Sequence, residues 1–175
     1  MVRLLLLQRQ RFPGDTVMSR DVLLVEANPS VSKLIFNIFH DQVPEVHVQV
    51  AATSSDALDY LFRTGPFVNR NSPVFPALIM LDLNLPQTSG LSLLEIIKTY
   101  ARTRVIPIVM IAESTDTYSV SDGYRRGASA WLVKSGDRQR FINDVIHTAI
   151  YWMKVNGAVP AEGPTGAGSD GSVQA

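Results

Sequence analysis

The chain has 175 residues, of which 46% are hydrophobic and 18% charged, and its formal net charge is zero. This length suffices for one globular domain, and the zero net charge gives no electrostatic reason to expect nucleic acid or a membrane surface as a partner. Cysteine is absent, which excludes disulfides, a thiol nucleophile and cysteine-ligated metals and is consistent with a cytoplasmic protein.

Both ends of the chain are predicted to lie outside the folded unit. The apolar run of residues 4–7 is too short for a membrane span or a signal-peptide core. Met18 is a candidate start, so we expect residues 1–19 to be a disordered leader or extension. Residues 156–175 are rich in Gly, Ala, Pro and Ser and are also expected to be disordered. One domain, residues 20–155, remains.

The domain begins with a buried strand over residues 22–25. Asn28 is predicted to cap the helix that follows, with Pro29 at its first position. Apolar side chains then recur at helical spacing and form one stripe: Val31, Leu34, Ile35, Ile38 and Phe39. Residues 46–50, rich in β-branched side chains, predict the second strand.

A second helix and a long loop follow. Ser54 or Ser55 is predicted to cap this helix. Three of its apolar side chains are expected to face the sheet: Leu58, Leu61 and Phe62. Repeated Gly and Pro residues make residues 63–76 a surface loop.

The next strand is the continuous apolar run of residues 78–81, which ends in Asp82. A helix is predicted to start near Gly90. Its inward side is expected to carry Leu91, Leu94, Ile97, Tyr100 and Ala101.

Two further strand–helix units complete the pattern. Residues 106–111 predict a buried strand, residues 116–126 a more polar helix, and residues 128–133 a last strand. Asp137 caps a final helix with an apolar stripe: Phe141, Val145, Ala149 and Trp152. Five alternations of strand and helix predict an α/β fold, a parallel sheet with helices on both faces.

Four of the predicted strands end in residues that a parallel sheet brings to one edge: Glu26, Asp82, Ala112 and Lys134. Two acids and a lysine there are suited to hold a divalent cation and a phosphoryl group, with Asp82 as acceptor and Lys134 as the neutralising charge. Taken singly, Asp82 is better explained as a helix-capping or turn residue and Lys134 as a solvated strand-end lysine; the other strand-end residues favour the site. An aspartyl-phosphatase is disfavoured because Asn84, two residues after Asp82, cannot transfer a proton. We therefore expect no enzyme.

At this point the chain resembles the receiver domains of two-component response regulators, over residues 20–155. Four segments carry the resemblance: Leu23-Leu24-Val25-Glu26-Ala27-Asn28-Pro29, Leu81-Asp82-Leu83-Asn84-Leu85-Pro86 with Gly90, Ile106-Pro107-Ile108-Val109, and Trp131-Leu132-Val133-Lys134. The long loop, the Lys134-Ser135 junction and the Tyr151-Trp152-Met153 ending are most similar to single-domain regulators that partner phytochrome-type histidine kinases. The resemblance implies a flavodoxin-like, doubly wound five-stranded sheet of order 2-1-3-4-5.

The resemblance also implies residue roles. Asp82 takes the phosphoacceptor position, fed by a sensor histidine kinase, and Lys134 the position that contacts the phosphoryl group. Magnesium ligands would be Glu26, Asp82 and the backbone carbonyl of Asn84. Ala112 and Trp131 occupy the two switch positions.

Two residues depart from the family pattern. Ala27 stands where receivers carry a second acid that ligates the metal, so magnesium binding is expected to be weak. Ala112 stands where they carry a threonine or serine whose hydroxyl bonds the phosphoryl group, so switching is expected to be impaired. Glu113 would add repulsion if it turned towards a phosphoryl group. Two hypotheses follow: a phosphorylatable single-domain regulator, and a phosphorylation-independent pseudo-receiver that acts as a protein-interaction module.

We expect the protein to pass on its signal by contacting another protein. The final helix carries more apolar residues than one sheet-facing stripe requires: Phe141, Ile142, Val145, Ile146, Ile150, Tyr151, Trp152 and Met153. Excess apolar surface suggests an interface, and we expect a homodimer through this helix and the last strand.

Overall fold

The computed structural model describes residues 21–70, 75–114, 116–134 and 136–155. The predictions for residues 1–19 and 156–175, and the Lys134-Ser135 junction, therefore lie outside the described residues.

The core of the fold is one parallel sheet of five strands. They are β1 (Asp21–Val25), β2 (His47–Ala51), β3 (Leu78–Asp82), β4 (Ile108–Ala112) and β5 (Ala130–Val133), in the order β2-β1-β3-β4-β5. This confirms the predicted flavodoxin-like order. Because all strands run the same way, their carboxyl ends meet at one edge.

Helices cover both faces of the sheet. They are α1 (Pro29–Gln42), α2 (Ser54–Phe62), α3 (Gly90–Thr99), α4 (Thr117–Arg125) and α5 (Arg138–Ile150), the last continuing as a π-helical turn over Tyr151–Val155. Successive strand residues point to opposite faces of the sheet and pack into two apolar clusters. One cluster includes residues of α1 and α5, and the other includes residues of α2 and α3. In the described residues no helix is long and apolar enough to cross a membrane.

Two of the three predicted helix caps, Asn28 and Asp137, are confirmed, and Ser89 caps α3. Asn28, Asp137 and Ser89 accept backbone N–H bonds at the starts of α1, α5 and α3. The cap of α2 is Thr53, whose Oγ1 accepts from Asp56 N at 3.1 Å, so the prediction of Ser54 or Ser55 was wrong by one residue or more.

Two aromatic side chains were wrongly predicted to face inward. In α2 the buried stripe is Ala57, Tyr60 and Leu61, which turns Phe62 outward. Tyr100, just past the end of α3, is also exposed, and the two rings meet edge to face at 4.9 Å. Each ring covers part of the other, which reduces the apolar area left in water.

Strand boundaries also shifted by one or two residues. β4 begins at Ile108 rather than Ile106, whose amide instead closes a turn onto Thr103 O at 3.0 Å. β5 begins at Ala130, because the Ala128 amide bonds Gly123 O at the end of α4. Within the predicted loop of residues 63–76, Gly65–Phe67 forms a 3-10 turn.

Candidate functional site

Three strand ends bring two acids and one lysine together at the carboxyl edge of the sheet. Glu26 follows β1, Asp82 ends β3 and Lys134 follows β5. Lys134 Nζ lies 2.8 Å from Glu26 Oε2 and 3.1 Å from Asp82 Oδ2, and both acids are buried. One ammonium group therefore bridges two carboxylates, at distances close to those of charge-assisted hydrogen bonds.

Backbone amides hold the remaining oxygens of the two acids. Glu26 Oε1 accepts from Asn28 N at 2.8 Å, and Asp82 Oδ1 accepts from Asn84 N at 3.2 Å. Each acid thus bonds the backbone with one oxygen and Lys134 with the other. Lys134 is itself fixed at the sheet edge, since its backbone N donates to Ala112 O at 2.7 Å.

Burial and charge act in opposite directions on these groups. Burial raises the pKa of the Glu26 carboxyl, and the hydrogen bond from Lys134 only partly offsets this. Burial alone would lower the pKa of Lys134, but the carboxylates of Glu26 and Asp82 outweigh it and raise the pKa above its usual 10.5. Lys134 therefore remains a cation at neutral pH.

The loop after β3 forms one wall of the site, and the start of α3 packs tightly against the end of β3. A Cβ on Gly90 would lie 2.2 Å from the carbonyl oxygen of Asp82 and 2.9 Å from the Cα of Leu83, so no side chain fits. Gly90 N also donates to Leu83 O at 2.8 Å. The resulting cleft, about 910 Å³, is lined by this loop, by Glu26, Asp82, Lys134 and Glu113, and by residues 27–29.

The residues at the cleft suit a divalent cation only in part. The carboxylates of Glu26 and Asp82 lie in the cleft, which Asn84 also lines, and carboxylate oxygens match the preference of Mg²⁺ for hard oxygen ligands. Ala27 contributes no side-chain ligand, and the described residues contain no cluster of three or more His, Cys, Asp or Glu side chains arranged to hold a metal. The set fits a cation that keeps several waters.

The end of β4 differs from the other strand ends. Ala112 is fully buried and has no hydroxyl group to offer. Glu113 is exposed, yet its Oε1 lies 3.5 Å from Lys134 Nζ. Sequence reasoning expected Glu113 only as a repulsive neighbour; the ion pair depends on the path of the loop, which carries no sequence signal.

Trp131, the second predicted switch residue, lies apart from the acids. Its ring packs against the apolar cluster of α2 and α3 and closely against α4, where a Cβ on Gly123 would lie 2.5 Å from ring atom Cζ3. Trp131 thus links β5 to α4 and does not line the cleft with Asp82.

The fold and this cleft define a receiver domain. The response regulator receiver domain model matches residues 22–146, and the chain belongs to this family. Receiver domains act in two-component signalling, interact with sensor histidine kinases and bind Mg²⁺ or Mn²⁺ at their acidic pocket.

Similar proteins include regulators of different pathways. The "Probable methanogenesis regulatory protein FilR2" of Methanothrix harundinacea is 29% identical over 146 residues, which cover 82% of this chain and 92% of FilR2. The bacteriophytochrome response regulator AtBRR is 33% identical with a TM-score of 0.65, covering 82% of this chain and 99% of AtBRR. The phosphorylated cyanobacterial phytochrome response regulator RcpA is 25% identical with a TM-score of 0.71, covering 78% and 95%. Phytochrome-associated regulators are thus close structural neighbours of this chain.

Proposed function

We propose that the chain is a single-domain response regulator that accepts a phosphoryl group on Asp82 from a phytochrome-type histidine kinase, with weak magnesium binding and impaired switching. The observation that carries the proposal is the Lys134 ammonium, held 3.1 Å from a buried Asp82 carboxylate in an open cleft. The likeness to AtBRR and RcpA supports the choice of kinase.

The chemistry follows from this arrangement. The N–P bond of a phosphohistidine breaks as an Asp82 carboxylate oxygen bonds to phosphorus, and the imidazole leaves with the bonding electron pair. Lys134 neutralises charge on the phosphoryl oxygens. Glu26, Asp82 and the Asn84 carbonyl would hold Mg²⁺, which supplies further positive charge when bound.

Phosphate incorporation tests the proposal directly. The purified chain is incubated with radiolabelled acetyl phosphate and Mg²⁺, and separately with a phosphorylated phytochrome-type kinase. Asp82→Asn serves as the blank and Asp41→Asn, an exposed carboxylate in α1, as the matched control. We expect labelling of the wild type and of Asp41→Asn but not of Asp82→Asn, with half-saturation at higher Mg²⁺ than for a receiver that keeps both acids.

The alternative is a pseudo-receiver that binds partners without phosphorylation. Ala27 and Ala112 favour it, since neither can supply the ligand or the hydroxyl that the family pattern places there. Absence of labelling from both donors, in a protein whose circular dichroism shows the folded state, would support this alternative and contradict the first proposal.

We also propose a cytoplasmic homodimer through β5 and α5. β5 lies at an edge of the sheet, and Tyr151 and Val155 beyond α5 are exposed. Tyr151 stacks edge to face on the partly buried Trp152 at 5.1 Å, which extends the apolar surface. Sedimentation at about 10 μM should show a dimer that Tyr151→Ser weakens; a monomer in the wild type would rule the dimer out.

A further inference from the structure

Three carboxylates converge on the single ammonium group of Lys134, and they are held very differently. The side chains of Glu26 and Asp82 are 1% and 4% exposed, and each is also fixed by a backbone amide. The Glu113 side chain is 67% exposed and approaches Lys134 Nζ only to 3.5 Å, longer than a charge-assisted hydrogen bond. Glu113 is therefore the most weakly held of the three.

Adding a phosphoryl group to Asp82 changes the balance of charge in the cleft. The phosphoryl group carries about two negative charges at neutral pH, while the Asp82 carboxylate loses its own charge on forming the acyl phosphate, so the cleft gains about one negative charge. Lys134 provides one positive charge to share, and Glu26 cannot leave because it is buried and bonded to Asn28. Repulsion from the phosphoryl group and competition for Lys134 both act to expel the exposed carboxylate.

The expelled residue lies next to the start of α4. Glu113 directly follows Ala112, whose carbonyl is bonded to Lys134 N in the sheet. Three positions further on, Asp116 caps α4 by accepting from Ser119 N at 2.8 Å. Glu113 thus lies, along the sequence, between a fixed strand end at Ala112 and the helix cap at Asp116.

From this geometry we propose that Glu113 is an intramolecular competitor of the phosphoryl group for Lys134, and that its displacement alters the first turn of α4. This inference rests on the proposed phosphorylation of Asp82. Such coupling works by releasing a contact, and it needs no hydroxyl at position 112, where this chain has alanine. Glu113 also slows phosphorylation, because an incoming phosphodonor meets a carboxylate near Lys134.

Glu113→Gln tests both the effect on α4 and the competition for Lys134. The control is Glu45→Gln, which also removes one exposed carboxylate. Glu45 lies in the loop before β2, at the opposite edge of the sheet. The first measurement is hydrogen exchange by NMR at the amides of Ser114, Ser119 and Val120 without any phosphodonor. We expect about two- to fivefold faster exchange in Glu113→Gln alone, the range that a partly exposed ion pair supports. The second is the initial rate of labelling with acetyl phosphate and Mg²⁺, which should rise several-fold in Glu113→Gln only.

The two measurements separate this inference from the proposed function. Equal exchange in all three proteins would overturn the role of Glu113 in holding the start of α4, whatever the labelling. Equal labelling rates in proteins that do label would overturn the competition. If no protein labels but exchange rises in Glu113→Gln, the proposed phosphorylation fails and with it the competition, while the effect of Glu113 on the start of α4 stands.

Discussion

The carboxyl edge of the sheet has two halves that are built differently. At the ends of β1, β3 and β5, Glu26 and Asp82 are buried, Lys134 is partly buried, and all three are bonded to the backbone or to one another. At the end of β4, Ala112 has no polar side chain and Glu113 is exposed. The contrast is that charged groups in direct contact with one another lie at the ends of β1, β3 and β5, whereas the end of β4 offers a buried alanine and an exposed carboxylate.

Removing the bridging cation should have the largest effect. Lys134→Met leaves Glu26 and Asp82 as two buried carboxylates without their shared partner, and we expect a loss of roughly 3 kcal/mol of unfolding free energy at pH 7. Urea denaturation measures it. Lys33→Met, on the exposed side of α1, is the control and should change stability little. Similar stabilities for both variants would show that the bridge contributes little.

The second prediction concerns the tight packing of Gly90 against the backbone of Asp82 and Leu83. Gly90→Ala forces a Cβ against the Asp82 carbonyl and the Leu83 backbone, and we expect a loss of roughly 2 kcal/mol, because backbone atoms cannot move aside as a side chain can. The atoms nearest to a Cβ on Gly123 belong to the Trp131 side chain and not to backbone, so Gly123→Ala should cost less. A thermal or urea unfolding series on both variants decides the order, and the reverse order would contradict the packing argument.

Restoring the missing hydroxyl at the β4 end is expected to have a smaller effect on stability and a selective one on coupling. Threonine and valine side chains have nearly the same shape. In this fully buried position, Ala112→Thr and Ala112→Val should each lower the unfolding free energy by about 1 kcal/mol. With acetyl phosphate and Mg²⁺, only the threonine variant should gain a larger exchange response at Ser119. An equal response in both would show that shape, not the hydroxyl, matters there.

The smallest predicted effect is a pH dependence. Since burial raises the pKa of Glu26 in the folded state, its protonated form favours folding: this stability is fully present below about pH 4.5 and is lost as pH rises through the raised pKa. The unfolding free energy of the wild type, minus that of Glu26→Gln, should therefore increase as pH falls through this window. The opposite slope would mean that the bond to Lys134 outweighs burial.

The sequence predicted the sheet and its edge well because buried parallel strands read as short apolar runs, and the residue after each run is easily identified. Asp82 and Lys134 were placed at one edge by topology alone. The cap at Thr53, the pairing of Phe62 with Tyr100 and the ion pair of Glu113 were missed. Each of these features depends either on a shift of about one residue in the position of a helix or on the path of a loop. Such details produce no periodic pattern in the sequence.

Trp131, pressed against Gly123 of α4, gives the molecule an optical reporter of its own. Indole emission responds to the polarity and packing around the ring, and this ring faces α4 instead of the cleft. In a Trp152→Phe background Trp131 is the sole indole of the chain, whose sequence contains two tryptophans. Its emission then follows events at α4 in real time, without a label, while chemistry proceeds at Asp82.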